Sequence, residues 1–130
     1  MRDINNISNT MVCKIRGIKN ANTLDSINRL DDIVTVICFH NRLNIVNKLN
    51  TIHHDECEEN CLISYSLMYV LEYCHITIKT FPSSNSILFH LTFHKNFDHS
   101  DCCLIYNFLV EALNAELSLS TVEFDNITSF

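Results

Sequence analysis

The chain has 130 residues, 47% of them hydrophobic and 18% charged, and a formal net charge of -6. That length holds one domain with a single core, and the acidic balance, with no basic run longer than two residues, argues against nucleic acid or anionic membrane as the main partner. No apolar run approaches the roughly 20 residues that span a bilayer, and residues 1–10 are polar and asparagine-rich rather than signal-like, so a soluble, cytoplasmic protein is expected.

The elements follow in order along the chain. A short strand is predicted over Met11 to Arg16, ending at Gly17, the only glycine, with residues 1–10 as a flexible lead into a single domain over 11–130. Leu24, Ile27, Leu30, Val34 and Ile37 recur at helical spacing, predicting a helix from Asn22 to about His40 with Asn22 or Thr23 as its cap and Asp25 in its first turn. Leu43 to Ile52 reads as a second strand, the acidic stretch His53 to Asn60 as a loop, and Cys61 to Glu72 as a long apolar strand with Tyr65, Leu67 and Tyr69 in alternation.

Cys74 to Phe81 alternates as a further strand and stops at Pro82, the only proline. A hairpin around Ser83-Ser84-Asn85-Ser86 leads into a strand whose Ile87, Phe89, Leu91 and Phe93 share one face, opposite Leu88, His90, Thr92 and His94. Asp98 or Ser100 caps a second helix carrying Leu104, Ile105, Phe108, Leu109, Ala112 and Leu113, and Thr121 to Phe124 adds a last strand. Strand, helix, four strands, helix, strand predicts an α+β two-layer sandwich, an antiparallel sheet with both helices on one face. With one glycine and one proline in the whole chain, asparagine, serine and aspartate must make the turns. The seven cysteines, odd in number and irregularly spaced, fit small buried residues in a reducing compartment better than a disulfide framework.

Cys74-His75-Ile76-Thr77-Ile78-Lys79-Thr80-Phe81-Pro82 carries the main functional signal. It resembles the self-processing segment of bacterial-type S-adenosylmethionine decarboxylases, roughly Glu-Ser-His-Leu-Thr-Ile-His-Thr-Trp-Pro, at His75, Thr77, Ile78, Thr80 and Pro82. The resemblance extends over about Thr10 to Glu116, through the opening strand with Gly17, the helix from Asn22 and the segment Val110-Glu111-Ala112-Leu113-Asn114-Ala115. It implies the two-layer fold of that family, two paired chains that share their active sites, and decarboxylation of S-adenosylmethionine on the route to spermidine.

Residue by residue, the resemblance places Cys74 at the serine that becomes a catalytic pyruvoyl group, making Tyr73-Cys74 the cleavage site. A thiol can attack the preceding carbonyl as a hydroxyl does. Ser66 falls at a serine that assists processing, Lys79 at a histidine required for cleavage, His94 at a cysteine proton donor, and Ser83 at the glutamate that holds the substrate ribose. Two readings follow: a divergent decarboxylase with a pyruvoyl group made from Cys74, or a catalytically inactive homologue that keeps the fold to bind a partner, as a homodimer or with a related chain. In the second, Cys74 is a half-buried cysteine in a strand.

His53, His54, Cys57 and Cys61 have zinc-type donors, but their spacing matches no standard structural zinc pattern, so no metal site is assigned. His90 and His94, four apart on a strand and so about 13 Å apart, are too distant to share an ion.

Overall fold

The computed structural model describes residues 7–19, 24, 26–57, 60–94 and 99–128. Its elements are β1 (Ile7–Ile15), α1 (Ile27–His40), β2 (Ile45–Cys57), β3 (Asn60–Leu71), β4 (His75–Phe81), β5 (Ser86–His94), α2 (His99–Ala112) and β6 (Thr121–Thr128). The strands form one antiparallel sheet in the order β2-β3-β4-β5-β1-β6. Hairpins join β2 to β5 in sequence, whereas β1 lies inside the sheet between β5 and β6.

Period-two alternation on the central strands sets one face of the sheet against both helices. Met11, Cys13 and Ile15 of β1, Ile76 and Ile78 of β4, and Ile87, Phe89, Leu91 and Phe93 of β5 are buried in one cluster. Leu30, Val34 and Ile37 of α1 and Cys102, Ile105 and Leu109 of α2 complete it. The core therefore lies between the sheet and a layer of two helices, as the element order predicts. Tyr69 reaches through it to the rim, where its hydroxyl donates to Asp31 Oδ1 at 2.8 Å and Lys48 Nζ closes an ion pair with the same oxygen at 3.1 Å.

Gly17 stands at φ 67°, in the left-handed region, and a Cβ there would lie 2.7 Å from Cγ of Glu116. Both facts require glycine. The contact holds the end of β1 to the segment after α2, where Glu116 N–H donates to the Arg16 carbonyl at 3.0 Å and Lys19 pairs with Glu116 at 2.9 Å.

Thr80 is a buried polar residue of β4, and its Oγ1 accepts from Tyr65 N–H at 2.8 Å, just beyond the last paired position of β3 and β4, Ser66 with Lys79. Thr80→Val keeps the shape and removes the acceptor. It is expected to cost about 1–3 kcal/mol, the penalty for an unsatisfied buried donor, measured as a lower urea midpoint with an unchanged slope.

Several boundaries differ from the sequence reading. β1 begins at Ile7 rather than Met11. Helix α1 begins at Ile27, capped by Ser26, whose side chain accepts from Arg29 N–H; Asn22, Thr23 and Asp25 lie outside the described residues. The expected loop over His53 to Asn60 is mostly ladder: β2 continues to Cys57 and β3 starts at Asn60. β2 is an edge strand, and an edge tolerates the charged residues that mimic a loop. Ser100 is inside α2, not its cap, and Asp98 lies outside the described residues. Leu104, expected in the apolar stripe of α2, is 67% exposed, and Cys102 takes the core position.

Candidate functional site

The face of the sheet away from the helices carries the residues with chemical potential. Register places them in rows across the strands. Asn47, Val70, His75, Thr92, Thr10 and Asp125 align from β2 to β6; the next row is Leu49, Met68, Thr77, His90, Val12 and Glu123; the next is Thr51, Ser66, Lys79, Leu88, Lys14 and Thr121.

Ser66 and Lys79 are thus direct cross-strand partners on the open face. With Ser64, Phe81, Pro82 and Ser83 they line a cavity of about 340 Å³ at the end of the sheet where Pro82 begins a single 3-10 turn. The structure therefore brings Ser66, Lys79 and Ser83 together.

Cys74 is at the opposite end. It sits in the turn between β3 and β4 rather than in a strand, its carbonyl accepting from Leu71 N–H at 2.9 Å. Five residues of extended chain separate it from Lys79, about 17 Å at about 3.4 Å per residue. Its side chain is half-buried against the core cluster, near Cys38 of α1, and burial pushes the Cys74 thiol up to about 11. Cys38 is likewise pushed up to about 11, by burial first and by Cys74 second. Tyr73 beside it is 73% exposed. His94 ends β5 two residues beyond Thr92, which pairs with His75, so its backbone lies at the Cys74 end; its side chain is outside the described residues. Single-chain geometry therefore sorts the candidates into two groups: Cys74 with His94, and Ser66, Lys79 and Ser83.

Between the groups, His90 occupies the middle of the open face with its ring 6.5 Å from that of His75, edge to face. No hydrogen-bond partner among the described residues reaches its buried Nε2. Burial, and then the neighbouring His75, lower its pKa from the ordinary 6.5. Folded His90 thus stays neutral at a pH where the unfolded chain takes up the proton, so its contribution to stability is complete above about pH 6.5 and is lost progressively as the pH falls from there through the lower pKa of the folded state. Wild-type melting temperature is expected to drop more between pH 7.5 and 5.5 than that of His90→Gln; an equal drop in both would remove His90 as the cause.

The sequence reading did not single out His90 as unpartnered, nor Lys14 and Arg16. The two basic residues line a second cavity of about 440 Å³ with Phe81, Ser84, Ser86 and Leu88, adjoining the first across Phe81. Their only sequence signal was the Lys-Ile-Arg alternation at the end of β1. Among the described residues no group of His, Cys, Asp and Glu could hold a metal ion, and the side chains of His53, His54, Cys57 and Cys61 lie outside them. No helix among the described residues is long and apolar enough to cross a membrane.

No family model matches the sequence, and no curated protein is similar to it at a significant level. The fold is similar to the crystal structure of the adenosylmethionine decarboxylase from Aquifex aeolicus VF5, with a TM-score of 0.67 over 95% of this chain and 90% of that one, at 11% sequence identity. At that identity the likeness concerns the fold and not the chemistry. The six-stranded antiparallel sheet with two helices on one face is the fold of an adenosylmethionine decarboxylase.

Proposed function

We propose that this chain is a divergent S-adenosylmethionine decarboxylase-like protein of polyamine biosynthesis that acts by pairing, with a second copy or with a related active chain, and does not make a pyruvoyl group of its own. Four coincident replacements carry this reading: Cys74 at the precursor serine, Lys79 at the histidine required for cleavage, His94 at the cysteine proton donor and Ser83 at the glutamate that holds the ribose. The gap of about 17 Å along the strand from Cys74 to Lys79 equals the serine-to-histidine spacing of the family segment and so asks for a second chain in either reading, whereas the Cys74 thiol is half-buried against the core with its ionisation suppressed by burial. The side chains present therefore do not fit a pyruvoyl centre within one chain. Ser83 in place of a carboxylate, and Lys79 as the charge in the cavity, also suit a cationic sulfonium substrate poorly.

Pairing is supported by the open face. Leu49, Met68 and Val70 are exposed apolar residues side by side on it, beside the unpartnered Nε2 of His90. A face-to-face pair with strand directions reversed would lay the Ser66 and Lys79 end of one chain on the Cys74 and His94 end of the other. This geometry also supports a second reading, an active pair in which Cys74 is the pyruvoyl precursor, Ser66 and Lys79 of the other chain assist cleavage and His94 donates the proton.

A decarboxylase assay combined with sedimentation separates the two. With S-adenosylmethionine labelled in its carboxyl carbon, the purified chain is expected to release no carbon dioxide above the rate of Cys74→Ala while sedimenting as a pair. Release abolished by Cys74→Ala would establish the active pair instead, and a monomer at all concentrations, alone or with an active decarboxylase, would remove the pairing.

A further inference from the structure

The protein carries a net charge of -6, yet three of its nine lysines and arginines converge at the Pro82 end of the sheet. Lys79 stands in one cavity, with Ser64, Ser66 and Ser83. Lys14 and Arg16 stand in the other, whose wall includes Ser84 and Ser86, joined hydroxyl to hydroxyl at 2.8 Å. Among the described residues no acidic one lines either cavity. Among the described residues the ion pairs formed by lysine are Lys19 with Glu116 and Lys48 with Asp31, and neither Lys14, Arg16 nor Lys79 takes part in one. By register the nearest carboxylate on the open face is Glu123, on β6 and diagonal to Lys14, on the side of β1 away from the cavity.

The spacing of the charges follows from the sheet. Lys14 and Lys79 both pair with Leu88, one from each side, which places them two strand spacings apart, about 10 Å. Phe81 rises between the two cavities as a shared wall, 44% exposed, an apolar step flanked by a cation on either side. At about 340 and 440 Å³ the two together have the size of a small-metabolite site rather than of a single-ion site. A concave surface of one sign gathers ligands of the other sign, and the lysine ammonium groups, the guanidinium and the Ser83 hydroxyl are all donors suited to phosphate oxygens.

We propose that this end of the sheet binds a small metabolite with two separated anionic groups, a bisphosphorylated one above all, held by Lys79 and Ser83 at one end and by Lys14 and Arg16 at the other, with its carbon skeleton over Phe81. Every one of these residues belongs to one chain, so the inference does not rest on pairing.

Calorimetric titration of the full chain with fructose 1,6-bisphosphate, a probe whose phosphates lie at its two ends, tests it. The bisphosphate is expected to bind at least about tenfold more tightly than inorganic phosphate, and Lys79→Ala and Lys14→Ala each to weaken it by about tenfold or more. Lys19→Ala, which removes a lysine paired outside the cavities, should leave the affinity unchanged. Binding no tighter than that of inorganic phosphate, or equal in Lys79→Ala, Lys14→Ala and wild type, would overturn the assignment. So would tighter binding of a random-sequence oligonucleotide than of the bisphosphate, since the surface would then be a nucleic-acid site. Sedimentation of the same samples reports pairing separately.

Discussion

Phe89→Ala is expected to destabilise the fold by about 3–5 kcal/mol, the range for truncating a buried phenylalanine. Phe89 is fully buried on β5, and its cross-strand neighbours on the core face are Ile78 of β4 and Cys13 of β1. Phe89 shares one buried cluster with residues of both helices, so the surroundings have little freedom to collapse into the space left by the ring. Domains of this size have about 5–15 kcal/mol of total stability, so the variant would be close to unfolding at room temperature. Urea denaturation followed by circular dichroism measures the effect. A loss below about 1 kcal/mol would contradict a core centred on β5.

Met68→Asp is expected to abolish pairing at concentrations where the wild type is paired, a weakening of about a hundredfold or more, while leaving the fold intact. Met68 lies on the open face in one row with Leu49, Thr77 and His90, and is 40% exposed in the single chain. In a pair it would be covered. Burying a carboxylate there without a partner carries a large desolvation penalty, whereas the same change on an already exposed helix position should not matter to association. Phe39→Asp, at 79% exposed on α1, is the control. Sedimentation velocity distinguishes the two. Equal association of Met68→Asp and wild type would show that the open face is not the contact surface.

How far the sequence revealed these features depended on how strongly burial patterned each segment. Ile87, Phe89, Leu91 and Phe93 fall on one face, opposed by polar residues except at Leu88, because β5 has one face in the core and one outside it, and α1 shows its stripe for the corresponding helical reason. At the edge the pattern fails: β2 has little to bury, so His53 to Cys57 reads as loop although its backbone pairs with β3. In α2 the stripe was misjudged because a cysteine, Cys102, fills a core position while Leu104 faces outward.

The candidate site was legible as a set of residues and not as an arrangement. Cys74, Ser66, Lys79, Ser83 and His94 were identified in the sequence, but linear spacing does not state which strands pair. Ser66 meets Lys79 only through the β3–β4 register, and that same register carries Cys74 to the far end. Lys14 and Arg16 join Phe81 only because β1, the first strand, enters the sheet beside β5, a long-range pairing that no local pattern encodes.

Intact mass of the purified chain tests the central claim most directly. If Cys74 remains a half-buried cysteine, the denatured protein gives a single species of 15.1 kDa. Two fragments, divided between Tyr73 and Cys74 with the second beginning in a pyruvoyl group, would contradict the account and make the chain a self-processing pyruvoyl protein.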